Sequence, residues 1–232
     1  EDIEAKITPK SKVLMLSYPN NPTGAVLTRD ELLALAEVAK KHDLIVISDE
    51  IYSELTYEYE PVSFASLPGM KERTILVSGL SKAFAMTGWR VGYIACDAEF
   101  IQAMVKIHQY TILCAPIMGQ IAAIEAFRHG IKEVARMRTE YDHRRRYIVK
   151  KAKDIGLDMV TPEGAFYAFP SIEKFGMDCE TFATRLLQEK KVAVVPGNAF
   201  GKSGEGFIRC SYATSMKQIE EAFHRIDQFI ND

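Results

Sequence analysis

A lysine, an aspartate and an arginine follow short apolar runs of this chain, at the points where strands of a sheet would end. Lys82 closes the segment SGLSK at 78–82, which comes directly after the apolar run 74–77, and Arg90 stands eight residues later. Asp49 follows an earlier run of the same kind. A lysine amine is a nucleophile that forms a Schiff base with a carbonyl group, so this set predicts chemistry with a carbonyl cofactor.

The neighbouring polar residues match the needs of an aromatic, phosphorylated aldehyde. An electron-withdrawing pyridine ring needs an acidic partner at its nitrogen, and Asp49 is the candidate. A phenolic oxygen on such a ring needs hydrogen-bond donors, and Asn21 and Tyr52 each follow a strand. The guanidinium fork of Arg90 matches the geometry of a phosphate group. Candidate hydroxyls for the same phosphate are those of Ser78 and Ser81.

The first half of the chain alternates between strand and helix patterns. Predicted strands occupy 13–16, 44–47, 74–77 and 90–96. Between the first two, Thr28 and Glu31 have the spacing of a capping box that begins a helix. Continuous apolar strands separated by helices predict an α/β fold with a mostly parallel sheet. Ligands of such sheets bind at the carboxyl ends of the strands, where the polar residues named above fall.

The second half of the chain has a different pattern. Residues 99–155 read as helical, with a break at 114–116, and short segments predict a smaller α+β domain after Gly156. Its predicted strands are 157–160, 165–169, 192–195 and 207–211, and its predicted helices are 179–189 and 215–230. The basic run HRRR at 143–146 is expected to be a solvated helix face without a function of its own.

Bulk composition narrows the classes of partner. Apolar residues make up 47% of the 232 residues, which is enough for a sizeable core, and the formal net charge of −2 gives no sign of a nucleic-acid or membrane partner. The uncharged apolar runs are far shorter than a membrane span. Single cysteines without a Cys-x-x-Cys pair predict buried thiols rather than disulfides or a metal site, and fit a cytoplasmic location.

Longer motifs of the chain resemble those of the fold-type I, pyridoxal-phosphate-dependent aminotransferases of class I/II. In chain order they are NNPTG at 20–24, SDEIY at 48–52, SK…MTGWRVGY ending at Tyr93, PEGAFY at 162–167 and GFIRCSYA at 206–213. They stand in the order of the family and run through almost the whole chain. The nearest likeness is to bacterial aspartate, aromatic and N-acetyl-diaminopimelate aminotransferases.

The resemblance implies a role for each candidate residue. Lys82 would form the Schiff base with pyridoxal phosphate and carry the proton between the substrate α-carbon and the cofactor. Asp49 would pair with the pyridinium nitrogen, and Arg209 would hold the substrate α-carboxylate, with Asn21 beside it. The remaining cofactor contacts would be Asn21 and Tyr52 at the phenolic oxygen, and Arg90 with Ser78 or Ser81 at the phosphate. Many relatives have a serine where this chain has Gly79, which leaves open which serine contacts the phosphate.

The resemblance also sets expectations for the protein as a whole. Relatives extend well beyond the N-terminal side of the NNPTG strand, so we expect a fragment in which β-sheet edges and apolar faces are left uncovered, and which is inactive alone. Residues 1–115 would be the C-terminal part of the large cofactor-binding domain, 116–155 a connecting long helix and 156–232 the small domain. Amino acids and 2-oxo acids would be the substrates, and the full-length protein would be a homodimer.

Three alternatives to transamination follow from the same sequence. A carbon–sulfur lyase shares the fold and the cofactor, and a non-catalytic aminotransferase-like module occurs in some transcription regulators. An ATPase would use LIVISDE at 44–50 for magnesium and GKS at 201–203 for phosphate. The phosphate loop, however, needs a glycine five residues before Gly201, where this chain has Pro196, and the two motifs stand in the wrong order.

Overall fold

A computed structural model describes residues 2–231 and divides them into two compact units. The first unit runs up to Pro19 and resumes over Val26–Arg136. The second comprises Asn20–Ala25 and the residues from Met137 onward. A short segment near the start of the chain is thus part of the second unit. The domain boundaries expected at 115 and 155 stay a prediction about the intact protein.

A four-stranded sheet forms the first unit and confirms the α/β expectation. Its strands are β1 (Val13–Ser17), β2 (Ile45–Asp49), β3 (Thr74–Gly79) and β4 (Gly92–Ala95). They lie in the order β1-β2-β3-β4, with β1, β2 and β3 parallel and β4 antiparallel to β3. Because β2 and β3 are parallel neighbours, their carboxyl ends lie at the same edge, where Asp49 and Gly79 end the strands.

Helix α1 (Arg29–Lys41) covers part of this sheet and begins as predicted. Thr28 Oγ1 accepts from the Glu31 amide while the Glu31 carboxylate accepts from the Thr28 amide, so the capping box is complete. The core beneath it is built from residues of α1, β1, β2 and the segment 64–70. The other face of β1 is open within residues 2–231, since Val13 is 50% and Met15 68% exposed.

The helical stretch predicted over 99–155 contains three helices. They are α2 (Ala98–Thr111), α3 (Ile117–His129) and α4 (Ile131–Asp154). The break at 114–116 was predicted, and the second break, at Gly130, was not. The Gly130 amide bonds to the Ala126 carbonyl, and a Cβ at 130 would lie 2.6 Å from that oxygen. Glycine after a basic last turn is a common helix end, and it was the signal available in the sequence.

The second unit has a three-stranded antiparallel sheet with the order β5-β7-β6. Its elements are β5 (Tyr167–Ala168), α5 (Cys179–Lys190), β6 (Val195–Pro196), β7 (Ile208–Ser211) and α6 (Met216–Asn231), together with the later part of α4. Strands β5 and β7 are shorter than predicted, and β6 overlaps the strand predicted over 192–195 only at Val195. Helix α6 buries four residues of its predicted apolar face, Ile219, Phe223, Ile226 and Phe229.

The strand predicted over 157–160 is wrong, because this segment is irregular and its first residue, Leu157, takes part in the end of α4. The Leu157 amide bonds to the Ala152 carbonyl and the Gly156 amide to the Lys153 carbonyl, while Gly156 has φ +79°. This is a Schellman motif, in which an apolar residue after the glycine packs back onto the helix. Leu157 is accordingly 2% exposed.

The expectation of a solvated basic face at 143–146 is wrong for one residue. His143 and Arg146 are exposed, but Arg145 is only 2% exposed. A helix of ordinary appearance in the sequence therefore has a buried guanidinium on its inner side. Within residues 2–231, no helix is long and apolar enough to cross a membrane.

Candidate active site

Asp49 stands at the end of β2, beside β3. Its register partner on β3 is Val77, and it is half-buried. Its Oδ1 accepts a hydrogen bond of 3.1 Å from the amide of Ile51, which closes a short turn after the strand. The turn holds a carboxylate at the strand end, the position expected for an acidic partner of a ligand ring.

Glu50 fixes the backbone next to Asp49, a role that the sequence did not indicate. Its Oε1 accepts hydrogen bonds from the hydroxyls of Ser48 and Ser63, both at 3.0 Å, and from the amide of Phe64 at 2.9 Å. The partners at 63 and 64 stand far along the chain, so no local pattern could have revealed them. The carboxylate ties the end of β2 to residues 63–64, within the connection between β2 and β3.

Lys82 and Tyr52 lie together beyond the ends of β3 and β2. The Lys82 Nζ is 5.7 Å from the centre of the Tyr52 ring, within the range of a cation–π contact. Tyr52 is 5% exposed and therefore a fixed neighbour. The turn that carries Lys82 is folded by bonds to the Leu80 carbonyl from the amides of Phe84 and Met86.

Ser81 and Arg90 are joined through Thr87, which the sequence reasoning did not single out. The Thr87 hydroxyl donates to the Ser81 carbonyl at 2.7 Å, and Arg90 Nη1 donates to the Thr87 carbonyl at 2.9 Å. Arg90 has φ +56°, which a side chain with a Cβ adopts only at some cost. The Ser78 hydroxyl donates elsewhere, to the Glu50 carbonyl at 3.4 Å.

Gly79, the departure from the family pattern, is explained by the pairing of β3 with β4. Its register partner is Gly92. A Cβ at 79 would lie 3.0 Å from the Gly92 Cα and 3.1 Å from the Val91 carbonyl oxygen. Two facing glycines let the backbones of β3 and β4 approach closely just before the turn that carries Lys82.

Arg209 and Asn21 form a separate polar pair within the second unit. Arg209 Nη1 donates to Asn21 Oδ1 at 2.8 Å. The guanidinium carbon lies 4.4 Å from the centre of the Tyr167 ring and 4.9 Å from that of Phe200. The Arg209 Nε is buried and has no hydrogen-bond partner among residues 2–231. Such a donor, held between two rings, suits an incoming carboxylate.

The predicted site residues therefore fall into two groups. The first unit holds six of them, at the ends of β2 and β3 and before β4: Asp49, Tyr52, Ser78, Ser81, Lys82 and Arg90. The second unit holds Asn21 and Arg209. Among residues 2–231, no three His, Cys, Asp or Glu side chains are grouped as metal ligands.

Comparison with known proteins identifies the family. The family description "Aminotransferase class I and II" matches residues 1–226. A putative aminotransferase, YugH, of Bacillus subtilis is 54% identical over 99% of this chain, and an aspartate aminotransferase of Pyrococcus abyssi is 46% identical over 100% of it. The crystal structure of an aromatic aminotransferase from Pyrococcus horikoshii superposes with a TM-score of 0.96, at 45% identity, covering 99% of this chain and 62% of that one.

This chain belongs to the class I and II aminotransferases, fold-type I enzymes that depend on pyridoxal phosphate. It spans about 60% of the length of the curated relatives that it matches. The side chains of the first unit fit that cofactor, because an amine, a carboxylate, a phenol, hydroxyls and a guanidinium are the groups that its aldehyde, ring nitrogen, phenolic oxygen and phosphate require.

Proposed function

We propose that this chain carries the lysine-bearing part of an aminotransferase that moves an amino group between an amino acid and a 2-oxo acid. The observation that carries the proposal is the position of Lys82 beside the ring of Tyr52, 5.7 Å away, beyond the strand ends that hold Asp49. Family membership supports the reaction type, and the arrangement of the side chains supports the roles.

The chemistry divides between the cofactor and the protein. When bound, pyridoxal phosphate supplies an aldehyde that condenses with amines and a ring that draws electrons from the substrate α-carbon. Lys82 would hold the cofactor covalently, its amine replacing the aldehyde oxygen with loss of water, and, once displaced by the substrate amine, would carry the proton at the α-carbon. Asp49 would keep the ring nitrogen protonated, and Tyr52 would donate to the phenolic oxygen.

At the phosphate end we assign Arg90 with Ser81. The Ser81 backbone is bound to Thr87, which in turn accepts from Arg90, so serine and arginine belong to one turn. The Ser78 hydroxyl donates to the Glu50 carbonyl, which makes it the weaker candidate of the two serines. The fork of Arg90 supplies paired donors for phosphate oxygens.

At the substrate end we assign Arg209 to the α-carboxylate. Its Nη1 is held by Asn21, and its buried Nε is available as a second donor. This pair recognises what all amino acids share and does not select among their side chains. The relatives are named for aspartate and for aromatic amino acids, and a screen of amino donors with the intact protein would identify its donor.

The intact protein is proposed to be a cytoplasmic homodimer, and the 232-residue chain alone is proposed to be inactive. The open face of β1 supports the second statement, since Met15 is 68% exposed on a strand at the sheet edge. Robust turnover by this polypeptide without further sequence would contradict it.

The test uses the intact protein and its Lys82→Ala variant, with Lys71→Ala as the matched control because Lys71 is exposed and lies before β3. We expect Lys82→Ala to lose turnover and to change the absorbance of the bound cofactor, and Lys71→Ala to change neither. An unaltered cofactor band in Lys82→Ala would refute the assignment. Product analysis separates the reaction types, since a carbon–sulfur lyase would release free ammonia and a thiol together with pyruvate, whereas transamination would release a 2-oxo acid and leave the amino group on the cofactor.

A further inference from the structure

The second unit contains an ion pair with a buried guanidinium, which the proposed chemistry does not use. Arg145 on α4 is 2% exposed, and its Nη2 and Nε lie 2.7 and 2.8 Å from Asp142 Oδ1. A buried guanidinium is costly unless its donors are satisfied, so its other contacts indicate what it holds in place.

A further donor of Arg145 reaches the loop of the PEGAFY motif. Its Nη1 donates to the Pro162 carbonyl at 3.0 Å, in a bond that is itself buried. Pro162 is the first residue of that motif and is buried. The ion pair on α4 thus fixes the backbone at the start of this loop.

The same loop clasps the turn at 20–25. The amides of Glu163 and Gly164 both donate to the Gly24 carbonyl, at 2.9 and 2.8 Å. Gly24 has φ +72°, and a Cβ there would lie 2.4 Å from the Pro162 Cβ. Only glycine permits this close approach, so the loop and the turn are fitted to each other.

The clasped turn carries Asn21, the partner of Arg209. The turn is closed by the bonds from the Gly24 amide to the Asn20 carbonyl and from the Asn20 amide to the Ala25 carbonyl, at 2.9 and 2.8 Å. Asn21 stands within it and accepts from Arg209 at 2.8 Å. A continuous series of contacts therefore joins the buried Arg145 to the carboxylate-binding pair.

We propose that Arg145 is a positioning residue for substrate carboxylate recognition. It acts through Pro162 and Gly24 to set the place of Asn21 against Arg209, and it does not touch the substrate. The inference rests on the proposed function, because it assigns Arg145 to the site at which that function places the α-carboxylate. A shift of the Asn21 side-chain amide by a fraction of an ångström would move the Arg209 guanidinium and weaken its bidentate contact with the substrate carboxylate. The expected loss is therefore in substrate binding and not in the chemical step.

The test compares Arg145→Gln with Arg146→Gln in the intact, cofactor-loaded protein. Arg146 is the matched control because it follows Arg145 on α4 and pairs with the same Asp142, yet its side chain is 72% exposed. For Arg145→Gln we expect KM for both the amino acid and the 2-oxo acid to rise about tenfold or more, with kcat reduced less than about threefold. The absorbance of the bound cofactor should be unchanged, and Arg146→Gln should behave as wild type.

Two further variants keep the test decisive if Arg145→Gln does not fold. Arg145→Lys retains the charge without the fork and should show an intermediate KM, and Gly24→Ala displaces the same loop from the other side and should raise KM as Arg145→Gln does. A fall in Tm without a rise in KM in any folded variant would overturn the inference. Loss of the proposed function itself would appear differently, as absence of transamination in the wild type or as an unaltered cofactor band in Lys82→Ala.

Discussion

The amine of Lys82 lies 5.7 Å from the centre of the Tyr52 ring, in the turn beyond β3 and next to the end of β2. Tyr52 is 5% exposed, so its ring is closely packed. The proposed roles separate the two parts of the residue: the ring lies under the lysine, and the hydroxyl donates to the phenolic oxygen of the cofactor.

We therefore expect Tyr52→Phe to keep the fold and to lose rate. Removal of one hydrogen bond to a charged oxygen costs about 1.5–3 kcal/mol, so kcat/KM should fall about ten- to a hundredfold. The pH midpoint of the cofactor absorbance should rise. Without the Tyr52 donor, the phenolic oxygen would attract the proton on the cofactor-bound Lys82 nitrogen more strongly, so this nitrogen would keep its proton to higher pH. Tyr110→Phe is the control, since Tyr110 is 88% exposed. Equal kinetics in Tyr52→Phe and wild type would remove the hydroxyl from the mechanism.

Arg90 combines a functional side chain with an unfavourable backbone conformation. At φ +56° a non-glycine residue costs about 1–2 kcal/mol, so Arg90→Gly should relieve that cost while it removes the phosphate fork. We expect Arg90→Gly to bind pyridoxal phosphate at least about tenfold more weakly without a lower Tm of the cofactor-free protein. Spectrophotometric titration and thermal unfolding measure the two effects. Unchanged cofactor affinity would move the phosphate site away from this turn.

Asp142 makes stability depend on pH. Burial acts to raise its pKa, but the hydrogen bonds and the positive charges of Arg145 and Arg146 together outweigh burial, and the pKa is lowered from its usual value. A carboxyl whose folded pKa is depressed adds stability above its unfolded pKa and loses it as the pH falls through the folded pKa. We expect Asp142→Asn to lower the free energy of unfolding by about 1–3 kcal/mol at neutral pH, and this difference to shrink below about pH 4. Denaturant unfolding at several pH values would show a constant difference if the ion pair had no part.

The cysteines differ in accessibility, contrary to the expectation that all are buried. Cys114 is exposed, whereas Cys210 lies in β7 and burial raises its pKa to about 12. Since the thiolate is the reactive form, Cys210 should resist alkylation in the folded protein, and Cys114 should react first. Mass spectrometry after brief iodoacetamide treatment measures this, with Cys114→Ser as the control. Early labelling of Cys210 in folded protein would contradict its place in the core.

Local signals in the sequence were sufficient for much of the first unit. The spacing of Thr28 and Glu31 predicts the start of α1. The strand ends predict that Asp49 and Lys82 lie at one edge of the sheet, because the carboxyl ends of parallel neighbouring strands lie at the same edge. Arg145 could not be found in this way. Helical periodicity predicts a polar stripe on α4. The carbonyl that accepts from the buried Arg145 guanidinium, however, belongs to Pro162, which lies seventeen residues away in a loop. Contacts between residues that are distant in the sequence cannot be predicted from the pattern within one helix.

The placement of Asn20–Ala25 in the second unit has a consequence for how such proteins can be recombined. A chimaera made by one crossover between Arg136 and Met137 would take Asn21 from one parent and Arg209 from the other. The donor and the acceptor of this hydrogen bond would then come from two different parent proteins, in which they had not evolved together. An exchange of the complete second unit has to include the hexapeptide at 20–25 along with the C-terminal part. A single crossover therefore cannot exchange that unit.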